Sequence, residues 1–474
     1  MLESVTEPLA LTLGQLLKRP PVACLPGESV RRATQTMREL AIGSMVVVSP
    51  DRIPIGILTL RDIADRVVLD SGAVDGPIER VMTRDPITLP VTETAYRAAL
   101  TMIRHGVRHI VLVEGGRLAG IVSERDLFGL QSSSVRELSA AIKGAADLDA
   151  IERFGRDING LALRLFEQGV AIAALTAFVA ALNDLLTERV VQLEFAQSAL
   201  ENLRCCWILM GSEGRSEQTL ATDQDNGIIF AVPPGRSAES VRAAIVPVAQ
   251  RINRALDRAG YRLCPGEIMA CNPRWTLSLD EWRQRFERWI DSGSPQALLH
   301  GAIFFDLRPL HGDLALGGEL RHWLMQHAPR NPRFLHQMAA NALENRPPFG
   351  WLKRFSVDKA GRIDLKLNGA ALFVDAARIF SLAHGIDEVN TERRLRAAAP
   401  LLGAQPREVD AWIAAYFHIQ GLRLRRQADC MRLGVPADNR IDPYALHDFD
   451  KRMLVAALEQ ARTIQARIAL DHRA

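Results

Sequence analysis

Two aspartates spaced two residues apart, Asp223 and Asp225, follow a glycine-serine turn at Gly211-Ser212 after ten intervening residues. Cys205 to Met210 is an apolar run that ends at a glycine, and Gly227 to Val232 is a second apolar run; both read as buried strands, with the aspartates opening the second. Side chains at i and i+2 of an extended chain project from one face, so Asp223 and Asp225 can hold hard divalent cations through oxygen while Gln224 points the other way. Two Mg²⁺ ions about 3.5–4 Å apart can clamp the attacking and leaving oxygens of an in-line displacement at phosphorus, and Mn²⁺ could take their place. Gly211 lets backbone approach a triphosphate, Ser212 offers a hydroxyl and an amide, and Arg215, next to Gly214, supplies a fork of donors suited to phosphate oxygens. No G-x-x-x-x-G-K-[ST] occurs, which disfavours a P-loop kinase or ATPase.

An isolated D-x-D is most often a solvated loop, and it is the joint presence of Gly-Ser, Gly-Arg and two flanking strands that lifts the metal reading above that one. Gly211-Ser212-Glu213-Gly214-Arg215, with Glu217-Gln218-Thr219 and Thr222-Asp223-Gln224-Asp225-Asn226, resembles the nucleotidyltransferases related to protein-PII uridylyltransferase, in the DNA polymerase β-like superfamily. The resemblance implies a third carboxylate on a later strand. Ala302 to Pro309 offers an apolar strand-like run carrying Asp306, with Arg308 two residues on, and a similar D-x-R stretch occurs in related uridylyl- and adenylyltransferases. Asp306 is then the expected third metal ligand and general base. The plainer alternative is a strand-end carboxylate paired to Arg308, with Asp313 as reserve candidate.

The first third of the chain repeats itself. Gly56-Ile57-Leu58-Thr59-Leu60-Arg61-Asp62 recurs as Gly120-Ile121-Val122-Ser123-Glu124-Arg125-Asp126, an offset of 64 residues (120 minus 56). Each copy orders its elements alike: a proline-containing strand, a helix (Ser29 to Leu40; Thr94 to Arg104), a valine-rich strand, then the G-I-x-[ST] strand ending in [ST]-x-x-D. A tandem β-α-β-β-α unit of this kind resembles a pair of cystathionine-β-synthase (CBS) domains. In that family the [ST]-x-x-D segment meets phosphate and ribose, which makes Thr59, Asp62, Ser123 and Asp126 candidate contacts for AMP or ATP. Helix capping by Thr59 and Ser123, with the aspartates in the first turn, explains the same residues. CBS pairs are also commonly dimerisation modules, so a homodimer is expected.

The elements that must position these residues fall into four stretches. The CBS-like pair covers 10–132, with repeats at about 14–70 and 77–132. A helical linker (135–202) follows, in which Ile151, Phe154, Ile158, Leu161 and Leu165 recur at helical spacing. A nucleotidyltransferase-like core (203–330) and a largely helical C-terminal domain (331–474) complete the chain. The expected fold class is α/β (α+β), with a mixed sheet in the core. In the resembling family the C-terminal domain covers the cleft, which makes Lys366 and Arg378 candidate neighbours of a triphosphate; a solvated or salt-bridged lysine is the alternative for Lys366. Asn272 and Arg274 are candidate lining residues, although an Asn-Pro turn with a structural tryptophan accounts for them equally. His447-Asp448 lacks spaced His and Asp partners and reads as surface chemistry.

Composition narrows the class. A net charge of +3 over 474 residues, with acids and bases interleaved, gives no nucleic-acid face, and the 48% hydrophobic content suffices for several cores. The six cysteines form no C-x-x-C pair, so neither a zinc site nor a disulfide framework is implied. The start carries acids where a signal peptide has cations, and the longest apolar stretch, Val170 to Leu182, is too short to span a bilayer; a cytoplasmic protein is expected. No HD or ACT region of the protein-PII uridylyltransferases is present. The expectation is a Mg²⁺-dependent transfer of a nucleoside monophosphate from an NTP to an acceptor hydroxyl, on a protein or on a small molecule, with adenine nucleotide acting at the CBS-like pair. A nucleotide-sensing protein without turnover is the alternative from another class.

Overall fold

The computed structural model describes residues 12–17, 20–40, 42–69, 74–105, 107–123, 126, 132–198, 200, 203–292, 303–350 and 354–472. They form two compact units, Met1–Ala140 and Ala141–Ala474.

The first unit holds two small sheets, one per repeat. β1 (Ala23–Cys24), β2 (Ser44–Val48), β3 (Pro54–Thr59) and β4 (Thr83–Arg84) form one, and β5 (Thr88–Pro90), β6 (His109–Glu114) and β7 (Arg117–Ser123) the other. In each, the first strand runs parallel to the second and the second antiparallel to the third. The helix Val30–Glu39 starts at Ser29, whose side chain accepts from the Arg32 amide, and it buries Val30, Ala33 and Met37 along one stripe. Val46, Val48, Val111 and Leu118 form a cluster common to both sheets.

The repeats exchange their leading segments. Leu13 N donates to Glu93 O (2.7 Å) and Gly14 N to Val91 O (2.9 Å), in the second repeat; 65 positions on (78 minus 13), Ile78 N donates to Glu28 O (2.8 Å) and Glu79 N to Pro26 O (3.1 Å), in the first. This exchange explains the glycine in each G-I-x-[ST] strand. A Cβ on Gly56 would lie 2.3 Å from Met82 Sδ, and one on Gly120 2.3 Å from Leu17 Cδ2, so each glycine leaves room for a side chain of the other repeat's leader.

The second unit is organised on a four-stranded mixed sheet of order β10-β9-β8-β11, built from β8 (Cys205–Leu209), β9 (Asn226–Phe230), β10 (Thr276–Ser278) and β11 (Arg308–Gly312). β9 and β11 run antiparallel to β8, and β10 runs parallel to β9. Cys206, Ile208 and Ile229, from one face, enter a core that continues without a break through Phe304, Phe305 and Phe334 to Phe373, Trp412 and Ile464 of the C-terminal helices. The helical linker opens with the helix Ser132–Lys143 and continues as a helix pair, Leu148–Glu167 and Ile172–Ala196. The apolar stretch Val170 to Leu182 falls in the latter, where Leu175, Phe178, Val179 and Leu182 are buried, and among the described residues no helix is long and apolar enough to cross a membrane.

One element differs from expectation. Ala302 lies outside the described residues, and Ile303 to Asp306 form a helical turn, not a strand; β11 begins only at Arg308. The aromatic run Phe304-Phe305 packs on Trp275, Phe286 and Phe334 from a turn as well as it would from a strand, so apolar content alone did not decide its backbone.

Filling the space used by the exchanged leader tests the arrangement: Gly120→Val should destabilise the first unit by about 1–3 kcal/mol through overpacking. The expected reading is a lowered urea midpoint with circular dichroism of the folded baseline unchanged.

Candidate active site

The D-Q-D segment is fixed by its central residue. Gln224 is fully buried and donates through Nε2 to Asn253 O (3.0 Å) and Tyr261 O (2.7 Å), while Asn253 Nδ2 donates to Gln224 Oε1 (2.7 Å) and to Asn226 Oδ1 (3.0 Å). With every second side chain tied inward, Asp223 and Asp225 turn to the opposite side, as alternation demands. Both lie just before β9 rather than on it. Asp223 keeps partial exposure and pairs with Arg262 at 3.1 Å.

Asp225 sits against the turn. A Cβ on Gly211, which has φ +55°, would lie 2.6 Å from Asp225 Oδ2, so only glycine fits there. Burial pushes the Asp225 carboxyl up to about 6, opposed by a hydrogen bond from the Cys264 thiol and by the Lys366 ammonium, and reinforced by Asp223. Below it, Glu213 is buried, accepts from the Asp225 amide at Oε2 (3.2 Å) and from Gln218 Nε2 at Oε1 (3.2 Å). Burial and the neighbouring Asp225 push its carboxyl well above the ordinary range.

Asp306 occupies a different environment. It has no solvent exposure and accepts from Arg215 Nη1 (2.5 Å), Arg378 Nε and Nη2 (3.0 and 2.7 Å) and Arg394 Nη1 (2.5 Å). Burial opposes its ionisation, but Arg378, Arg394 and Arg215 outweigh burial and hold the carboxyl well below the usual carboxylate range. Every oxygen lone-pair direction is taken by a guanidinium, so this geometry fits neither a metal ligand nor a general base, and the expected role of Asp306 is corrected to a structural anchor. Its expected alternative, Arg308, pairs instead with Asp184 (2.8 Å) and donates to Gly214 O (3.1 Å) and Glu213 O (3.1 Å). The reserve candidate Asp313 caps the helix Leu314–His327 and pairs with Arg204.

Three further expectations move with Asp306. Arg215 is spent on Asp306 and Glu217 (2.8 Å), and Arg378 on Asp306 and Asp375 (2.6 Å), so neither guanidinium is free for a triphosphate. Gly214 serves packing, because a Cβ there would meet Asp306 O at 2.0 Å. Lys366, by contrast, is exposed at the start of the turn Lys366–Ala370, near enough to Asp225 for its charge to act there. Ser212 stays partly exposed beside Gly211. Asn272 caps its own turn by accepting from the Arg274 amide, and Trp275 Nε1 donates to Glu267 O, as the Asn-Pro-turn alternative requires.

In the first unit, Thr59 N and Oγ1 both donate to Asp62 Oδ2 (2.9 and 2.5 Å), and Thr83 Oγ1 donates to Asp62 Oδ1 (2.9 Å). Ser123 and Asp126 make the same reciprocal pair, Ser123 N donating at 2.9 Å and Oγ at 2.5 Å. The [ST]-x-x-D pairs thus act as caps in both repeats; Glu124 and Arg125 lie outside the described residues.

Among the described residues no cluster of three His, Cys, Asp or Glu side chains is arranged to hold a metal. The donor set still suits Mg²⁺, which usually takes one or two protein carboxylates and fills its octahedron with water and substrate phosphate. Asp223 and Asp225 supply those two, and a divalent cation there would favour the ionised form of Asp225, which burial and Asp223 disfavour.

Comparison with known proteins assigns these parts. Residues 13–69 and 78–133 match the CBS domain, 156–296 match "Putative nucleotidyltransferase DUF294", and 332–472 match "Putative nucleotidyltransferase substrate binding domain". The chain belongs to the DUF294 family, with a CBS pair preceding both of its matched parts. Asp223 and Asp225 lie in the middle match and Lys366 in the last, so the candidate site of this family member is built by both. The chain is similar to an uncharacterised protein of Methanopyrus kandleri (29% identical, 28% of this chain and 69% of the relative). It is also similar to an uncharacterised 17.7 kDa protein of Acidianus ambivalens (30%, with 25% and 72% covered). A CBS domain protein from Pyrobaculum aerophilum, solved with AMP, is 33% identical over 25% of this chain and 90% of that one, with a TM-score of 0.24.

The two aspartate environments predict opposite pH behaviour. Asp306→Asn should cost about 3–5 kcal/mol, because it leaves buried guanidiniums uncompensated. As a carboxylate with a depressed pKa, Asp306 contributes stability that is fully present above the unfolded value of about 3.9 and is lost only as pH falls below it. Asp225, raised to about 6, contributes in the reverse sense: its stability is present below about pH 4 and lost as pH rises through 6. Asp225→Asn should therefore stabilise metal-free protein by about 1–2 kcal/mol at pH 7.5 and leave it unchanged at pH 4. Urea unfolding in EDTA at both pH values reads out both variants.

Proposed function

We propose that this protein transfers a nucleoside monophosphate from an NTP to an acceptor hydroxyl. The acceptor oxygen forms a bond to the α-phosphorus, the bond from that phosphorus to the α,β-bridging oxygen breaks, pyrophosphate leaves with its electron pair, and the hydroxyl proton passes to water. One observation carries this reading: Gln224 is locked inward by Asn253 and Tyr261, which sets Asp223 and Asp225 outward as a pair beside Gly211. The match to a nucleotidyltransferase model over 156–296 supports it. When bound there, Mg²⁺ would neutralise the phosphates and stabilise charge developing on the leaving oxygen. Lys366 supplies the exposed cation for the β- and γ-phosphates, and Ser212 a hydroxyl and an amide. The acceptor is proposed to be a protein and the chemistry uridylyltransferase-like, on the resemblance of the 211–226 motif; the matched substrate-binding domain is where that acceptor would be read. The CBS pair, supported by its family match, would bind adenine nucleotide, regulate transfer and pair two copies of the chain.

A second reading has its own support. With Asp306 enclosed by arginines, the outward carboxylates of the D-Q-D segment stand as two without the third, which suits a protein that binds NTP and reports on it without turnover.

Incubation of purified protein with each α-³²P-labelled NTP, Mg²⁺ and cell extract separates the two. Transfer predicts label on a protein band that is absent with Asp223→Asn/Asp225→Asn, and label on a metabolite would shift the acceptor to a small molecule. Lys366→Ala should raise KM for the NTP about tenfold with a smaller change in kcat, as loss of one charged phosphate contact requires. Nucleotide binding without transfer of any label would establish the sensor reading.

A further inference from the structure

The helix Pro406–Arg432 carries a buried charge for which the second unit supplies no counter-charge. Among the described residues Arg321, Arg378, Arg394 and Arg423 are the buried arginines. Arg321 pairs with Asp387, and Arg378 and Arg394 pair with Asp306. Arg423 is 7% exposed and has no carboxylate at ion-pair distance among the described residues. The acids whose charge reaches it, Asp364 and Glu217, are committed elsewhere. Asp364 accepts from the amides of Lys366 (2.9 Å) and Leu367 (3.1 Å), and Glu217 accepts from Arg215 (2.8 Å) and the Thr391 amide.

Neutral groups hold the guanidinium in place. Nε donates to Asn439 Oδ1 (3.1 Å) and Nη1 to Gln420 Oε1, while Gln420 in turn donates to Tyr416 Oη (2.8 Å). Nη2 has no hydrogen-bond partner among the described residues, and it keeps contact with solvent. Packing sets this group beside the Lys366 turn. A Cβ on Gly369 would lie 2.9 Å from Ile419 Cγ2, so the turn Lys366–Ala370 rests on the helix face that Arg423 continues four residues later. Asn439 ties the same two parts together, accepting from Arg423 at its side chain and from the Leu365 amide at its carbonyl (3.0 Å).

We infer that Arg423, beside the exposed Lys366, is an oxyanion site of the phosphate class, in which Nη2 donates to a phosphate oxygen. Taking a guanidinium out of water without a counter-charge is costly, and a phosphate would supply the charge that the two amide oxygens do not. Arg423 lies within 332–472, the stretch that matches a substrate binding domain. The site stands on burial and pairing, and the transfer reading bears only on whether the oxyanion is the tail of the NTP.

The test titrates full-length protein with inorganic tripolyphosphate by isothermal calorimetry in EDTA, where the aspartate pair has no metal with which to hold phosphate. Saturable binding is expected, weakened about tenfold or more by Arg423→Gln, as loss of a charged hydrogen bond requires. Arg426→Gln removes the same charge from a partly exposed position on the same helix, where the arginine faces Asp438 at 3.8 Å, and should change the affinity by no more than about twofold. Adding each NTP reads the source: displacement of tripolyphosphate makes the oxyanion the tail of the NTP, and simultaneous binding makes it a separate phosphate ligand. Absence of saturable binding, or a loss in Arg423→Gln no greater than in Arg426→Gln, would overturn the site. If Arg423→Gln shows no cooperative thermal transition, Arg423→Lys decides, since it keeps the charge without the fork: a loss of about threefold or more supports the site and a smaller one overturns it. Tripolyphosphate binding in a protein that transfers no label would sink the transfer reading alone.

Discussion

Asp306 lies without solvent contact among Arg215, Arg378 and Arg394, and most of the second unit is oriented by that contact. The three guanidiniums are balanced by Asp306, Glu217 and Asp375, so the buried cluster carries no net charge. Each partner belongs to a different element: Arg215 to the glycine-serine turn, Arg378 to the helix Ala371–Ala383, Arg394 to the helix Thr391–Leu402. Backbone joins the same cluster, since Arg394 donates to Phe305 O and the Thr391 amide donates to Glu217. Taking so many charges out of water is costly unless all are paired in one geometry. The continuous hydrophobic core supplies the bulk of the driving force, while the ion cluster restricts the turn and the C-terminal helices to a single register.

That register is what forms the candidate site. Once Arg215 is drawn to Asp306, the turn presents Gly211 to Asp225, and the C-terminal domain presents Lys366. Asp225 and Asp306 are chemically identical side chains with opposite fates. Asp306 is neutralised completely by the protein and is therefore structural; Asp225, next to Asp223 and buried Glu213, has a thiol and the charges of Lys366 and Arg215 in partial compensation, with no direct guanidinium pair. A carboxylate that the fold leaves uncompensated is the one available to a cation brought by substrate.

The first unit follows a separate logic. Its two repeats are each incomplete, because each lends its leading segment to the other, and Gly56 and Gly120 are the positions that accept the loan. The aspartates of the [ST]-x-x-D segments close capping pairs with Thr59 and Ser123. Any nucleotide there would therefore meet groups already engaged in local hydrogen bonds, Asp62 more so than Asp126, which is exposed.

By itself the sequence determined the tandem repeat, the strand pair around the aspartates and the outward alternation of Asp223 and Asp225, because each depends on spacing of a few residues along one chain. Lys366 was named through the family resemblance of the C-terminal domain and not through any spacing, and its charge acts on Asp225. Glu213 and Cys264 were not, since a buried glutamate and a lone cysteine have no spacing signal, and what brings them to Asp225 is the pairing of segments far apart in sequence. Asp306 was misread for the same reason: an aspartate after an apolar run looks alike whether it faces a cation or three arginines. Those arginines stand 91, 72 and 88 residues away, and their approach was decided only by tertiary packing of the C-terminal helices against the turn.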